Sequence, residues 1–465
     1  MDELAFYGDG PEVVPLSLFP GWETLPYDTF SPYQDIVSDR LATLMRLPRL
    51  TRGIVVTTVA TAMHRLLPSS YLERQSLLLQ KGQKLAVDPF RRRLAESGYR
   101  YVSQVGEHGD AAVRGSILDL FPMGAERPYR IDLFDEVVDT IRTFDPDSQR
   151  SLDQVESVSV LPAREVALSD EGIARFRAKW RARFPGNPNA CPVYREVSSG
   201  FAPPGIEYYL PLFYDSTQSL FDYFTNGCIV VFQDDATGAA GGYWNEVQHR
   251  YEQGRHDVER PLLPPSEIFF PPDAFLAAAG RQTGIDLSPL PGAGPGEHSV
   301  RFGTRVPAAL PIDAHARDPL VVFRHFQSRF HGRVLIAAES PGRRETLLDL
   351  FAKHELRPAS VTGWKEFLDS DQIFAITVAP LDTGVVLDEP EVAVISETQL
   401  FGDRAQQRRL RKRRQHDSEA VVRNLTELTS GAPVVHLEHG VGRFRGLTTL
   451  TVGDVPGEFI VLDYA

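Results

Sequence analysis

Between residues 101 and 142 the chain repeats one short motif. The stretches Tyr101-Val102, Ala112-Val113-Arg114, Ser116-Ile117-Leu118-Asp119-Leu120, Tyr129-Arg130-Ile131-Asp132-Leu133 and Thr140-Ile141-Arg142 alternate apolar with polar side chains and are separated by turn residues. Successive side chains of an extended strand point to opposite faces, so a period of two sustained over consecutive segments fits an antiparallel sheet with one covered and one wet face. The spacing predicts a mainly β module over residues 76–162, with helical spacing only at 85–99. The flanking sequence has a different character. Arg52-Gly53, Ile54-Val55-Val56 and Val59-Ala60-Thr61-Ala62-Met63 read as a buried strand turning into a helix that stops before Pro68. After the module, residues 169–184 are helical, with Ser169 as cap and Pro185 as stop, and Cys228-Ile229-Val230-Val231-Phe232 is a solid apolar run of the buried parallel-strand type. The β module is therefore expected as an insertion in an α/β chain.

Residues 289–307 carry Gly292, Gly294, Gly296 and Gly303 with Pro291 and Pro295, the composition of a linker. Beyond it, residues 321–330, the strand Arg333-Val334-Leu335-Ile336-Ala337, a helix opened by Ser340-Pro341 and the strand Val392-Ala393-Val394-Ile395 predict a second doubly wound α/β domain. A short helix at 418–428 follows. Strands at 434–436, 442–444 and 459–462 then suit a small β-barrel, which the sequence is expected to cut short because it stops just after the last of them.

A length of 465 residues fits about three domains at the usual ~100–200 residues each. No window approaches the roughly 18 uninterrupted apolar residues of a membrane helix. Cys191 and Cys228 lie far apart without CxxC spacing, which excludes a disulfide framework and a cysteine-type zinc site. The start, MDELAFYGDG, has no basic segment followed by an apolar one, so a cytoplasmic setting is expected. The net charge of −13 disfavours wrapping of nucleic acid by the domains at large. Against that background Arg404, Arg408, Arg409, Arg411, Lys412, Arg413 and Arg414 form a basic run without an acid, suited to a solvated linker or to a local, salt-sensitive phosphate contact.

Catalytic signatures are missing from the sequence. The phosphate loop GxxxxGK[ST], whose amides and lysine cradle phosphates, does not occur. Gly384-Val385-Val386-Leu387-Asp388-Glu389 imitates the acidic strand end that holds magnesium in motor ATPases, but has no phosphate loop to serve and runs into Pro390. The strand at 229–232 ends in Gln233-Asp234-Asp235, with its first acid one position late, which reads as a worn magnesium site. His436 and His439 are two potential metal ligands lacking a third. No GxSxG or serine-lysine arrangement stands out. No catalytic, cofactor-binding or metal-binding residue is assigned, and the chain reads as a binding assembly.

The runs WETLPYD at 22–28, SPYQD at 31–35, EHG at 107–109, VRGSILDLFPMG at 113–124, PYRIDLFD at 128–135, GIEY at 205–208 and VVHLEHGVG at 434–442 resemble the bacterial transcription-repair coupling factor family over nearly the whole chain. The resemblance implies a partial domain 1a at 1–75 with a degenerate helicase-like (RecA-like) α/β fold, lacking its first strand and helix. It also implies domain 2, which binds UvrA, at 76–162, domain 1b at 163–298, domain 3 at 299–403, a basic linker and helix at 404–430, and a truncated RNA polymerase-interacting domain of CarD/Tudor-like barrel type at 431–465. By the same resemblance the DNA translocase, with its ATP and magnesium and most of the DNA contact, lies beyond Ala465, and no cofactor is expected in these residues. UvrB, an ATP-dependent helicase and damage-loading subunit, is the alternative identity, but it keeps a phosphate loop and an aromatic-rich hairpin that are not visible here.

The family's UvrA-contact positions match Arg114, Arg130 and Phe134. Each has a structural alternative: a cross-strand salt bridge for the arginines, to Asp132 or Asp135 for instance, and plain core burial for Phe134. For the RNA polymerase β subunit the expected edge is Leu447-Thr448-Thr449-Leu450-Thr451, with Leu450 as anchor, although a leucine on a strand also serves as core.

Overall fold

The computed structural model describes residues 1–8, 14–287, 300, 302–313, 318–402, 433–436, 440–452 and 455–463. It divides into two contact units, Met1–Pro307 with Phe330–Ser396 and Ala308–Arg329 with Glu397–Ala465.

The first unit opens with helix α1 (Asp2–Tyr7) and strand β1 (Leu16–Leu18). Helix α2 (Gln34–Arg46) leads to β2 (Ile54–Val56), which pairs with β1 in parallel. The helix expected next is a single turn, α3 (Val59–Ala62), capped by the Thr58 hydroxyl accepting from Thr61 N. It stops early because His64 and Leu66 leave the helix to bridge Phe269 and Gln218. Helix α4 (Ser69–Gln75) then runs into β3 (Leu77–Gln80).

The β module follows: α5 (Val87–Glu96), β4 (Arg100–Tyr101), β5 (Asp110–Arg114), β6 (Ile117–Leu120), β7 (Tyr129–Phe134), β8 (Val137–Phe144) and β9 (Ser151–Val155). The six strands lie in chain order in one sheet, antiparallel except for the parallel β4–β5 pair. Leu118, Leu120, Ile131 and Ile141 form its covered face, and Phe90 and Leu94 of α5 are buried in the same apolar cluster. The returning strand β10 (Ser157–Val160) pairs antiparallel with β3, so the module is held on a two-stranded stem.

The α/β pattern resumes with α6 (Asp170–Arg183) and α7 (Pro192–Ser198), then β11 (Ile229–Gln233), α8 (Ala236–Gly254), α9 (Pro265–Ile268), α10 (Pro272–Ala279) and β12 (Thr283–Leu287). The Ser169 hydroxyl caps α6 by accepting from Gly172 N. β11 departs from its expected burial: Ile229 and Val231 are 63% and 51% exposed. Its single neighbour among the described residues is the parallel strand β12, and its inner face is the half-buried pair Val230 and Phe232, with Phe232 packed onto Phe275.

Two buried acids tie loops to this part of the unit. Glu165, just after β10, receives Arg40 of α2 through Nε and Nη2, and the two side chains are 0% and 1% exposed. Arg40 Nη1 also donates to the Pro20 carbonyl at 2.7 Å, and its guanidinium lies over the Phe19 ring. Glu207 accepts from the Ser31 hydroxyl at 2.8 Å. Burial pushes its carboxyl up to about 7.

After β13 (Thr304–Arg305) comes α11 (Val321–Arg329), which belongs to the second unit. The first unit then continues with β14 (Arg333–Ala338), α12 (Pro341–Lys353), β15 (Ala359–Ser360), α13 (Trp364–Asp369), β16 (Phe374–Val378), β17 (Val385–Leu387) and β18 (Val392–Ser396). The sheet order is β13-β17-β18-β14-β16-β15, parallel from β18 to β15, with β17 antiparallel to β18 and β13 antiparallel to β17. Ser340 caps α12 from its hydroxyl and Pro341 starts it. Phe6 and Tyr7 of α1 pack against Trp364 of α13 beside this sheet.

In the second unit, Leu310 N and Ile312 N donate to the carbonyls of Gln399 and Leu400, the latter two in helix α14 (Glu397–Phe401). Strands β19 (Pro433–His436), β20 (Gly440–Val452) and β21 (Val455–Asp463) form an antiparallel meander where the sequence predicts barrel strands. The basic run 404–414 and the helix at 418–428 lie outside the described residues.

A candidate partner-binding face

The wet face of the β module follows from strand register. Ala112 stands opposite Asp119, Asp119 opposite Arg130, and Arg130 opposite Arg142. One step along, Arg114, Ile117, Asp132 and Thr140 make the next row. Asp132 pairs with Thr140 but Leu133 with Val138, so the extra residue of the bulge sits on β8 and the alternation of β7 is unbroken. Arg130, Asp132 and Phe134 therefore project together, on the same face as Arg114. The turn after Phe134 is tight, with Asp135 and Glu136 both at positive φ, and it leaves Phe134 78% exposed.

Charge on this face is organised around Asp119, whose side chain is 1% exposed. Its carboxylate accepts Arg130 Nε at 2.8 Å and Nη2 at 2.9 Å, and Arg114 Nη2 at 2.7 Å. Arg130 also gives Nη1 to the Gln149 carbonyl and the Ser151 hydroxyl, and stacks over the Phe144 ring at 4.8 Å. The Asp119 hydrogen bond raises the Arg130 pKa above its ordinary value. Arg114 is half exposed. Beside them, Arg142 donates to Asp132 at 2.6 Å and Thr140 to Asp132 at 2.7 Å.

The salt bridges anticipated from Arg114 or Arg130 to Asp132 or Asp135 are thus corrected. Asp132 is occupied by Arg142, and the β5–β6–β7 register delivers both arginines to Asp119 instead. Asp119 and Arg142 are the residues that sequence reasoning missed. Their signal was present in the alternation, which puts positions 119, 130 and 142 on the polar face, but their alignment depends on loop lengths.

The remaining sequence candidates fall elsewhere. Leu450 pairs with Gly457 of β21, and among the described residues β19 stops pairing with β20 at Arg443, so the segment 446–452 has one strand-free edge. Asp235 caps α8, accepting from Gly238 N at 2.8 Å, and Asp234 sits at a left-handed φ of 57°. Asp388 is paired with Arg305. His439 lies outside the described residues, and among those described no His, Cys, Asp and Glu cluster has metal-site geometry.

Comparison with known proteins agrees with this arrangement. Residues 77–166 match the UvrB interaction domain, residues 326–400 the domain described as "MFD, D3 domain", and residues 428–465 the CarD-like/TRCF RID domain. The sheet, its charged face and these matches define a mixed α/β multidomain chain built around a UvrB interaction domain. Transcription-repair-coupling factors of Haemophilus influenzae and Escherichia coli are 41% and 40% identical to it, each over 96% of this chain and over 39% and 38% of their own length. That of Myxococcus xanthus is 29% identical over 100% of the chain and 40% of its own length. The chain belongs to the transcription-repair coupling factor family and spans about two fifths of the length of the curated relatives it matches.

Proposed function

We propose that these residues are a non-catalytic recruitment platform for transcription-coupled DNA repair, joining RNA polymerase to the UvrA-dependent excision machinery in the cytoplasm. The observation that carries the proposal is the open face of the module matching the UvrB interaction domain, where Arg114 and Phe134 are exposed on a rigid sheet beside Arg130. A planar guanidinium next to an exposed aromatic is the usual make-up of an interface hot spot. In this reading Arg114, Arg130 and Phe134 form the UvrA site. The match at 428–465 supports a contact with RNA polymerase, its β subunit on this proposal, through the free edge of β20 with Leu450 as anchor.

The finer fold assignments belong to the same proposal. The α/β parts at 1–75 and 163–298 are a degenerate RecA-like domain split by the module at 76–162, residues 299–403 are domain 3, 404–430 a basic linker and helix, and 431–465 the beginning of a CarD/Tudor-like barrel. ATP-driven translocation on DNA is assigned to the parent protein outside these residues. The engagement of Asp235 as a helix cap and of Asp388 with Arg305 supports an enzyme-free role here, since one acid of each candidate magnesium pair already has another partner. A UvrB-like helicase is not favoured, because the relatives matched along 96% of the chain are coupling factors.

The test is affinity for UvrA. Truncating a central arginine or aromatic typically costs about 1–2 kcal/mol, or roughly ten- to thirtyfold. Alanine at Arg114, Arg130 and Phe134 together is expected to abolish measurable binding by the folded chain, and unchanged binding would overturn the site.

A further inference from the structure

We propose that Asp119 and Arg130 are positioning residues, which hold the Arg114 guanidinium with its unused N–H donors outward to take a carboxylate of the partner. This rests on the UvrA reading of the face and deepens it, dividing the three matched positions into groups that touch the partner and a group that acts through another.

The division follows from counting donors. Arg130 spends Nε and Nη2 on Asp119 and Nη1 on Gln149 and Ser151, lies flat over Phe144, and is only 19% exposed. It has little left to offer a partner. Arg114 spends only Nη2, is 54% exposed, and has no other bond among the described residues. Between the two stands Asp119, which is buried and must keep a cationic partner, because a lone carboxylate out of water is strongly disfavoured. Arg130 meets that need with a two-pronged grip that fixes the carboxylate plane, and the carboxylate in turn fixes one prong of Arg114. A long arginine side chain held before the encounter loses less rotamer freedom in it.

Charge points to what Arg114 receives. One carboxylate faces two guanidiniums at Asp119, while Asp132 is matched by Arg142. Among these five charged groups one positive charge is left over, and the more exposed arginine, Arg114, lies on the same face as the exposed ring of Phe134. A protein partner complements that with a carboxylate beside an apolar contact for the ring.

A double-mutant cycle on the 465-residue chain with UvrA separates positioning from mere folding. Arg114→Ala is expected to weaken UvrA binding about tenfold and to remove most of the fall in affinity that added salt produces. Asp119→Asn is expected to weaken binding by a similar factor, yet to add almost nothing in the Arg114→Ala background. If Asp119→Asn fails to fold, Arg130→Lys takes its place, since it keeps the charge on Asp119 but loses the two-pronged grip, and it is expected to show the same non-additivity. Equal losses in both backgrounds would overturn the positioning role while leaving the UvrA reading intact. So would an Arg114→Ala chain that binds normally while Phe134→Ala does not. If neither Arg114→Ala nor Phe134→Ala alters binding, the inference and the UvrA reading fall together.

Discussion

The pair Arg40 and Glu165 offers the sharpest test of how the first unit is held together. Both side chains are buried, and Arg40 makes its remaining polar contact with the Pro20 carbonyl while lying over Phe19 and Trp22. Glu165→Gln leaves the shape nearly unchanged but removes the only negative charge bonded to that guanidinium among the described residues. Breaking a buried pair from one side costs about 3–5 kcal/mol, because the surviving ion has neither water nor a counter-charge. The lower figure corresponds to a roughly hundredfold rise in the opening constant of α2. Hydrogen exchange on the amides of α2 and of residues 163–168 reads this locally, without assuming that a chain of several domains unfolds in one step. The expected result is faster exchange there, with the β14–β18 sheet unaffected. Replacing both partners, Arg40→Met with Glu165→Leu, is expected to restore most of the protection, since an apolar pair of similar volume carries no desolvation cost. If Glu165→Gln exchanges like the parent, or if the double replacement is as damaging as the sum of its parts, the reasoning from buried charge is wrong.

Two other expectations concern Glu207 and nucleotide. Burial raises the Glu207 pKa from 4.5 to about 7, so the folded chain holds a proton that the unfolded chain releases between those values. Its contribution to stability is fully present below pH ~4.5 and lost as pH rises through ~7, a change on the order of 3 kcal/mol. Glu207→Gln is expected to flatten that part of the pH–stability profile in denaturant titrations, and an unchanged profile would show that the carboxyl is not the titrating group. For nucleotide, no saturable, competable binding of a fluorescent ATP analogue with magnesium is expected at micromolar concentrations, and finding it would overturn the reading of a degenerate site.

What could be read from the sequence was local. The strands around 110–144 declare themselves by alternation, and the caps at Ser169 and Ser340 by a hydroxyl three residues before the amide it accepts. Partnerships across long separations were not legible. Arg130 meets Asp119 because the loop joining β6 to β7 has the length that aligns them, and Arg40 meets Glu165 across 125 positions. β11 shows the same limit from the other side: an unbroken apolar run reads as buried, yet its exposure is decided by which strands lie beside it. The matched positions Arg114, Arg130 and Phe134 came from resemblance, whereas their unequal freedom to reach a partner is visible only in three dimensions.

The stem under the β module has one more implication. Leu79 stands opposite Val158, so the chain leaves and returns within one strand spacing, ~4.8 Å. A module whose two ends meet so closely is a cassette: it can be inserted into a host loop, or lifted out of it, without stretching the surrounding fold. Yet Leu79, Val158 and Val160 lie in the same continuous apolar cluster as Phe19 and Phe275 on one side and Ile131 and Ile141 on the other. The cassette is thus fused rather than hinged, and its charged face is aimed by the host like a bracket on a wall, so whatever docks there inherits a fixed bearing relative to the α/β body that carries it.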